Sequence, residues 1–347
     1  MKRAFALLLT TLVLTGCSPN VDGAAQPAER SSAQIQAVNT TVFAMDTVMD
    51  LTIYGDEALL TQAEQCIARL EDSLSVTDEN SEIYQLNQQG TANLSEEAAQ
   101  LLEQGLALCE LTGGALDLSI YPVLRTWGFT TGEYQVPEEE KIAGLLEHVD
   151  YRSVALDWTS GAVTLQEGMQ IDLGSVAKGY TGDLLTQLFK EGGVTSGLLN
   201  LGGNVQAIGA KPDGSPWRVA IQDPESTENL AVLEVVDKAV ITSGGYERFF
   251  EENGQTYWHI LDPKTGAPAR SGVISVTIIG DNGLMCDGLS TALFVMGVED
   301  AAQFWREHGG FEAVLVTDDE RLCITAGLED SLALLESAAR YTVEVIR

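Results

Sequence analysis

The chain is poor in positive charge. Its 347 residues carry 19 lysines and arginines against 51 aspartates and glutamates, which gives a formal net charge of −32. A surface with this excess repels the phosphates of nucleic acids and anionic lipid headgroups. The composition therefore argues against a nucleic-acid partner. An anionic ligand would need a local positive feature, either a metal ion or a helix N-terminus, in order to bind.

Metal-binding residues of the zinc type are also scarce. Three histidines are scattered along the chain, and the four cysteines that follow Cys17 show no metal-ligand spacing. This pattern disfavours a zinc site or a histidine-built metal centre. The four cysteines are read as mostly buried thiols, and the sequence leaves their disulfide state open.

Long apolar runs are absent after the first residues. A basic start and an apolar stretch over residues 4–14 have the size of a signal-peptide core, and this stretch is too short to span a bilayer. It ends in Leu-Thr-Gly-Cys, which is similar to a bacterial lipobox. We therefore predict a lipoprotein signal peptide over residues 1–16 and lipidation of Cys17. An uncleaved anchor helix, or a plain signal with an incidental cysteine, remains the alternative.

The segment that follows is rich in serine, alanine, glutamine, proline and asparagine. It holds almost no large apolar residues and cannot bury enough surface to fold. We predict a flexible tether over residues 17–38 and one large globular domain over residues 39–347.

Strand-like and helix-like segments alternate in the globular part. Neighbouring strands interrupted by single helices predict an α+β fold with mixed or antiparallel sheets and packed helices. Apolar residues at helical spacing predict helices over residues 57–74, 96–111, 184–189, 289–296 and 301–308. β-rich runs predict strands over residues 42–54 (a pair or one long strand), 170–173, 217–221, 231–236, 240–242, 273–279 and 313–316.

One candidate site lies near the start of a predicted helix. Asp287, Ser290 and Thr291 are three and four residues apart and therefore share one helix face. A carboxylate with two hydroxyls makes a cluster of oxygen donors, which suits Mg²⁺ better than zinc or copper. The alternative is simple helix capping, with the hydroxyls bonded to backbone carbonyls.

A second candidate lies in the run Ile-Asp-Leu-Gly-Ser-Val-Ala-Lys-Gly-Tyr. A predicted strand turns through Gly174 and Ser175 into a helix that carries Lys178 in its first turn. Backbone N–H groups at such turns point at anions, and the lysine adds a positive charge. The alternative is an ordinary capped turn between a strand and a helix.

A third candidate is His259, which precedes the strong turn signal Asp-Pro-Lys-Thr-Gly. At a strand end this histidine has room to act as a base or a phosphate ligand, although a solvent-exposed histidine fits the same pattern. The paired glycines of residues 113–117, 200–204 and 242–246 allow close backbone approach to a phosphate or a flat ring. Taken singly, such pairs usually mark turns.

Together, over residues 41–326, these segments resemble the ApbE family of FAD:protein FMN transferases. The family's Asp-Leu-Gly-Gly-Ile-Ala-Lys-Gly-Tyr segment is matched by residues 172–180, and its Thr-Ser-Gly-Asp-Tyr by residues 242–246. Its His-Ile-Ile-Asp-Pro-Arg-Thr-Gly and Ala-Asp-Ala-Leu-Ala-Thr-Ala segments are matched by residues 259–266 and 286–292. Ser175 replaces a glycine, Gly245 replaces an acidic residue and Trp258 replaces a serine.

The resemblance implies a cleft that holds FAD, with Mg²⁺ bridging its diphosphate. The implied metal contacts are Ser175, Asp287, Ser290 and Thr291. The implied FAD contacts are Met45, Thr77, Ala115, Leu116, Asp117, Asp172, Lys178 and Leu261. The implied catalytic residues are His259 and Asp287, and His259 is the better candidate base because a bound cation lowers the pKa of a carboxylate.

The resemblance also implies the reaction and its partners. FMN passes from FAD to a threonine hydroxyl of an exported acceptor, such as an Nqr- or Rnf-type subunit or a secreted FMN-binding domain, and AMP is released. With the lipid anchor, the protein is expected outside the cytoplasm, at the periplasmic face or outer surface of the membrane. The alternatives are an FAD pyrophosphatase, which gives AMP and FMN, and a flavin-binding lipoprotein without turnover.

Overall fold

The structure is a computed structural model that describes residues 36–347. The predicted signal peptide, the lipidation site Cys17 and most of the predicted tether lie outside these residues. The first strand begins at Ala37, two residues before the predicted start of the globular domain. Within the described part, no helix is long and apolar enough to cross a membrane.

One nine-stranded sheet organises residues 36–347. Its strand order is β1-β2-β6-β7-β10-β13-β14-β15-β17. Neighbouring strands are antiparallel except for the parallel pair β15–β17, so the predicted α+β class with a mixed sheet is confirmed. The strands of this sheet are β1 (Ala37–Ala44), β2 (Thr47–Tyr54), β6 (Gly197–Leu201), β7 (Asn204–Ile208), β10 (Ala239–Gly244), β13 (Val273–Gly280), β14 (Glu312–Thr317), β15 (Arg321–Thr325) and β17 (Thr342–Ile346).

Three small sheets complete the β-structure of this region. Their orders are β3-β5-β4, β16-β9-β8 and β11-β12. The strands are β3 (Thr91–Asn93), β4 (Ala155–Asp157), β5 (Ala162–Thr164), β8 (Trp217–Gln222), β9 (Asn229–Val235), β11 (Phe249–Glu252), β12 (Gln255–Trp258) and β16 (Leu332–Leu334).

Eight α-helices occur within the described range. They are α1 (Ala58–Leu74), α2 (Glu82–Gln89), α3 (Glu96–Leu111), α4 (Tyr121–Thr126), α5 (Glu139–Leu146), α6 (Gly174–Glu191), α7 (Gly283–Met296) and α8 (Val298–His308). Helix α3 has the bounds predicted from its apolar spacing. Helix α6 ends just before Gly192 and Gly193, as expected from the freedom of glycine at helix ends.

The run predicted as one long strand or a pair is a hairpin. Met45 and Asp46 form its two-residue turn and have positive φ angles of 50° and 58°. Two positive φ angles are the signature of a turn whose twist matches that of the paired strands. The turn thus closes β1 onto β2 and places Met45 at the end of the sheet where the candidate site lies.

The two faces of the large sheet are covered differently. Helices α1, α6 and α7 pack on one face, α3 packs against these helices, and together they form the main apolar core. On the other face, the β16-β9-β8 sheet covers strands β7 to β15, burying Val219 and Ile221 of β8. A third apolar cluster, built from Trp127, Phe129 and Leu261, packs beside the β11–β12 hairpin.

The predicted strand over residues 170–173 is wrong. No strand forms there, because side-chain and loop groups satisfy its backbone instead of a neighbouring strand. The Asn87 side chain donates to Ile171 O and accepts from Ile171 N, both at 2.8 Å. The N–H of Asp172 donates to Leu118 O at 2.9 Å. The segment is held by a buried side-chain amide and not by a neighbouring strand.

The predicted start of α7 at Leu289 is also wrong. The helix begins six residues earlier, at Gly283, because two side chains satisfy its first N–H groups. The Asp183 carboxylate accepts from Gly283 N at 2.7 Å and from Leu284 N at 2.9 Å. Asn282 accepts from Met285 N at 2.8 Å. Asp287 therefore lies inside the helix rather than at its cap.

Candidate active site

A deep cleft opens where the start of α6, the middle of α7 and the loops after β10 and β12 meet. It has two adjoining chambers that share Asp172, Gly174, Lys178 and Arg248. We call them the inner and the outer chamber. The inner chamber is also lined by Ala115, Leu116, Asp117, Ser175, Thr242, Ser243, Glu247, His259, Leu261, Asp287 and Thr291. The outer chamber is also lined by Met45, Asp46, Glu71, Thr77 and Thr130.

Two glycines bring α6 and α7 into close contact behind the inner chamber. A Cβ atom on Gly179 would overlap the Gly283 carbonyl and lie 2.7 Å from Asp287 Cβ. A Cβ atom on Gly283 would lie 2.6 Å from Gly179 O. Only glycine permits this backbone approach. The crossing places Asp287 of α7 beside the first turn of α6, where Lys178 lies.

Asp287 is a buried carboxylate without a salt-bridge partner among the described residues. Its Oδ2 accepts a hydrogen bond from Gly179 N at 2.8 Å. Burial raises the pKa of this carboxyl, although the nearby Lys178 charge and the Gly179 N–H act in the opposite direction. A cation in the inner chamber would relieve the cost of keeping the group ionised.

Three hydroxyls gather next to Asp287. Ser243 Oγ lies 2.7 Å from Ser290 Oγ and 3.3 Å from Thr291 Oγ1. Ser290 is fully buried and donates to the Asp287 backbone carbonyl at 2.7 Å, so its hydroxyl bonds back to the helix as the capping alternative described. Thr291 instead faces the inner chamber. The role of Ser290 as a metal contact stays a prediction.

The donor set around Asp287 fits Mg²⁺. Asp287, Thr291, Ser243 and Ser175 supply only oxygen atoms to the inner chamber. Within residues 36–347, no group of three or more His, Cys, Asp or Glu side chains is placed to hold a metal by itself. Mg²⁺ is commonly held by one or two carboxylates together with water and substrate phosphates. A site with one carboxylate is consistent with that mode of binding, in which a phosphate ligand completes the coordination.

Positive features converge on the shared part of the two chambers. The α6 helix starts at Gly174, whose N–H donates to Asp172 Oδ1 at 2.8 Å, and Lys178 lies at the end of its first turn. Arg248 approaches from the opposite side and lies 3.5 Å from Asp46 Oδ2 at the surface. Two cations and a helix N-terminus thus offer an anion favourable partners in a cleft whose lining also carries the carboxylates Asp117, Asp172, Glu247 and Asp287.

His259 directly follows β12, as predicted, and lies in the inner chamber. Its ring Nδ1 lies 3.2 Å from Arg248 O, a carbonyl that can only accept, so Nδ1 carries the proton and Nε2 keeps a lone pair. Burial among protein atoms and the Arg248 and Lys178 charges lower the pKa of His259 to about 4, although part of the ring still faces the open cleft. The ring is therefore neutral at pH 7.

Two cleft residues were missed in the sequence. Burial raises the pKa of Glu247 to about 7; the side chain lies deep in the cleft but faces its open space. Arg248, its neighbour, lines both chambers. The available signal was their position directly after the turn at residues 242–246, combined with the scarcity of arginine.

The cleft brings together every predicted FAD contact. Ala115, Leu116, Asp117 and Leu261 line the inner chamber, Met45 and Thr77 line the outer chamber, and Asp172 and Lys178 line both. The Asp117 carboxylate already accepts from Ser119 N at 2.8 Å and Tyr151 N at 3.2 Å. The Asp117 carboxylate therefore fixes the loop that borders the inner chamber. The individual contacts with FAD remain predictions.

Comparison with known proteins gives consistent results. The model of the ApbE family matches residues 45–315. An FAD:protein FMN transferase of Treponema pallidum (strain Nichols) is 35% identical over 306 residues, which cover 83% of this chain and 84% of the relative. Another, from Klebsiella pneumoniae (strain 342), is 32% identical over 283 residues, covering 80% of this chain and 88% of the relative.

Solved structures agree with these relatives. The crystal structure of the ApbE protein of Thermotoga maritima has a TM-score of 0.81 at 31% identity, covering 85% of this chain and 99% of that one. The apo form of the Pseudomonas stutzeri flavinyl transferase ApbE has a TM-score of 0.74 at 30% identity, covering 81% of this chain and 91% of that one.

Proposed function

This chain belongs to the ApbE family and is an FAD:protein FMN transferase, and we propose that it uses Mg²⁺ in the inner chamber and a threonine hydroxyl of an exported protein as acceptor. One observation carries the proposal. The α6 N-terminus, Lys178, Arg248 and the buried Asp287 meet in a single cleft whose lining includes every predicted FAD contact.

The diphosphate of FAD belongs, in this proposal, where the two chambers join. Lys178, Arg248 and the backbone N–H groups at the start of α6 balance its negative charge despite the acidic surface. Asp287 and Thr291 would hold Mg²⁺, with Ser175 and Ser243 as further oxygen donors facing the same space. When bound, Mg²⁺ supplies electrostatic stabilisation of the charge on the phosphates.

The transfer is a substitution at the FMN-side phosphorus. The acceptor hydroxyl oxygen forms a bond to this phosphorus, the bond to the AMP oxygen breaks, and AMP leaves with the bonding electrons. The hydroxyl proton passes to His259 Nε2, which is free because Nδ1–H faces Arg248 O. Lys178 and Arg248 stabilise the charge that develops on AMP.

His259 is a better candidate base than Asp287 by position and charge. Asp287 is buried and accepts a hydrogen bond from Gly179 N. A cation beside it would lower the pKa of its carboxyl and make it a weaker base. His259 is neutral at pH 7 and faces the inner chamber. A base with a pKa near 4 is weak in the empty cleft, so the transfer needs the negative diphosphate beside the ring to raise its pKa as proton transfer proceeds.

The decisive experiment is an assay of the full chain, in detergent, with FAD, Mg²⁺ and an exported FMN-binding domain. We expect a fluorescent acceptor band that survives denaturing electrophoresis, with a mass increase of one FMN phosphoester, and AMP in equal amount. Replacing the acceptor threonine with alanine should abolish the band. AMP and FMN formed at the same rate without acceptor would identify an FAD pyrophosphatase instead, and no product at all would identify a flavin binder.

The lipid anchor is a separate part of the proposal. The lipobox at Cys17 and the polar segment behind it favour a mature protein that is tethered to a membrane outside the cytoplasm. A tether also raises the effective concentration of acceptors on the same surface. The variant Cys17→Ser should move the protein from the membrane fraction to the soluble fraction. Unchanged membrane retention would contradict the anchor.

A further inference from the structure

A third depression continues from the cleft onto the open face of the large sheet. We call it the lateral groove. It shares Lys178, Thr242, Glu247 and Arg248 with the inner chamber, and Met45 and Asp46 with the outer chamber. Beyond these shared residues it is bordered by Gly202 and Gly203 of the β6–β7 turn and by Ala220 and Gln222 of β8. The groove therefore leads from the surface directly to the two cleft cations.

One border of the groove is the edge of a sheet. Strand β8 is the last strand of its sheet and, within residues 36–347, is paired only with β9. In an antiparallel pair, every second residue of an outer strand turns its N–H and C=O groups away from the partner. An extended chain lying in the groove can form hydrogen bonds with these N–H and C=O groups and so add a strand to the sheet.

The floor of the groove leaves room for a backbone. Gly202 and Gly203 have positive φ angles of 63° and 93°, so side chains are disfavoured there, and a Cβ atom on Gly203 would meet no atom within 4 Å. Ala220 is exposed and carries the smallest side chain that a strand position can have apart from glycine. Small residues thus border the entrance, while the charged residues lie at the inner end.

An exposed apolar pair stands beside the groove. Phe43 and Val48 are direct cross-strand partners at the tip of the β1–β2 hairpin, and they are 74% and 51% exposed. The turn between them contains Met45 and Asp46, which line the groove. This is the half of the sheet face that the β16-β9-β8 sheet leaves open. An exposed apolar pair that flanks a groove-lining turn is suited to contact with a protein surface.

From these features we propose that the acceptor protein docks on the lateral groove, with its hydroxyl-bearing segment extended along the free edge of β8 and its surface packed on Phe43 and Val48. The inference rests on the proposed function. A protein hydroxyl must reach the diphosphate site, and the lateral groove shares Lys178 and Arg248 with that site but does not include Ala115 or Leu261. The acceptor hydroxyl thus reaches the diphosphate site along the groove, which includes Met45 and Lys178 but none of the other predicted FAD contacts.

The test separates acceptor docking from chemistry. The full chain and the variants Phe43→Ser and Ala220→Tyr are assayed with an acceptor domain that the wild type labels, at saturating FAD and Mg²⁺. We expect the KM for the acceptor to rise about tenfold in each variant, because Phe43→Ser removes an interface anchor and Ala220→Tyr fills the groove. The kcat at saturating acceptor and the Kd for FAD should remain at the wild-type values.

Trp158→Ser is the matched control. Trp158 is an exposed aromatic residue, 55% accessible, on the β4–β5 turn, which does not border the cleft or the groove. The KM of Trp158→Ser for the acceptor should equal that of the wild type. Unchanged KM in both test variants, or an equal rise in the control, would overturn the docking site. A wild-type dimer that Phe43→Ser dissociates would assign this surface to a second copy of the chain and overturn it as well.

Failure of the underlying function gives a different result. If the wild type releases AMP and FMN from FAD but labels no acceptor, the transferase assignment fails and the docking inference falls with it. If the wild type labels the acceptor and the variants behave like the wild type, only the docking inference fails.

Discussion

The two walls of the cleft are built in different ways. The helical wall, formed by α6 and α7, presents Lys178, Asp287 and Thr291 from a crossing fixed by Gly179 and Gly283. The loop wall, formed by residues 242–248 and 259–263, presents Arg248, Glu247 and His259 from turns and a two-stranded hairpin. In the helical wall Asp287 is buried and Lys178 and Thr291 are half-buried, whereas the Arg248 side chain in the loop wall is 48% exposed.

This difference assigns different tasks to the walls. A close helix crossing cannot shift without losing contacts along its whole length, so it suits a metal site that must keep its geometry. Loops tolerate small displacements, so the loop wall suits contacts that form as substrates enter and leave. Changes in the helical wall should therefore affect metal and fold together, and changes in the loop wall should affect mainly kinetics, with only small, pH-dependent effects on stability.

The largest expected effect is that of Asp287→Ala. Loss of the buried Asp287 carboxylate, the proposed charged ligand of Mg²⁺, should reduce the transfer rate at 1 mM Mg²⁺ by roughly a thousandfold, by analogy with the removal of strong transition-state stabilisers. AMP release is the measurement. Asp281→Ala removes an exposed carboxylate two residues before α7 and should keep the wild-type rate. Full activity of Asp287→Ala in chelator-treated buffer would end the metal assignment.

The next largest effect is expected for His259→Ala in the loop wall. Loss of a general base should lower kcat by about a hundredfold. The Kd for FAD, measured by flavin fluorescence, should change far less if the histidine acts in the transition state. His308→Gln, an exposed histidine at the end of α8, is the control. Equal losses in FAD affinity and in rate would make His259 a binding residue.

Two glycine-to-alanine variants, one in the helix crossing and one outside it, test the rigidity of the helical wall. Gly179→Ala should lower the free energy of unfolding by about 1–3 kcal/mol, because the added methyl group overlaps the Gly283 carbonyl. Gly144→Ala is the matched control in α5, where a Cβ atom meets nothing within 4 Å. It should stabilise the protein by up to about 1 kcal/mol through helix propensity. Urea unfolding followed by circular dichroism compares the two, and equal stability would show that the crossing tolerates expansion.

Arg248→Met should show a smaller effect that is confined to kinetics. The loss of one charge-assisted contact to a phosphate is expected to raise the KM for FAD about tenfold. The midpoint of urea unfolding should stay at its wild-type value, because the Arg248 side chain is half exposed and its ion pair with Asp46 lies at the surface. A large fall in stability would place Arg248 among the residues that hold the fold.

The smallest expected effect is a pH dependence of the free energy of unfolding that Glu247 causes. Its pKa is raised to about 7 in the fold, above the ordinary value of 4.5, so the fold favours the protonated form. The contribution to stability is present below pH 4.5 and is lost as the pH rises through 7. His259, whose pKa is lowered to about 4, gives the opposite slope, since its contribution is present above pH 6.5 and lost as the pH falls.

Single variants separate the two slopes. In EDTA, unfolding free energies of Glu247→Gln and of the wild type should converge at low pH, and the wild type should lose relative stability between pH 4.5 and 7. The unfolding free energies of His259→Gln and the wild type should instead converge at high pH. The wild type should lose stability relative to His259→Gln as the pH falls from 6.5 to 4. Parallel pH curves for all three proteins would contradict these pKa shifts.

Local sequence alone determined much of the framework. Apolar spacing gave the bounds of α3, and the glycine pair after α6 gave its end, because these signals act within one or two helical turns. The positions of Asp172, Lys178, His259, Asp287 and Thr291 in the cleft also agree with the sequence motifs. The roles assigned to these residues came from family resemblance, since spacing alone left capping and turn alternatives open.

Tertiary structure decided what no local pattern encodes. Asn87, far away in sequence, replaces the strand partner that residues 170–173 lack, and Asp183 moves the start of α7 to Gly283. Only the packing of the loop wall brings Glu247 and Arg248 to the α6 N-terminus, where burial and neighbouring charge shift pKa values. Sequence motifs record which chemical groups are present, but distances and burial between remote segments set their electrostatics, and these follow from the assembled fold.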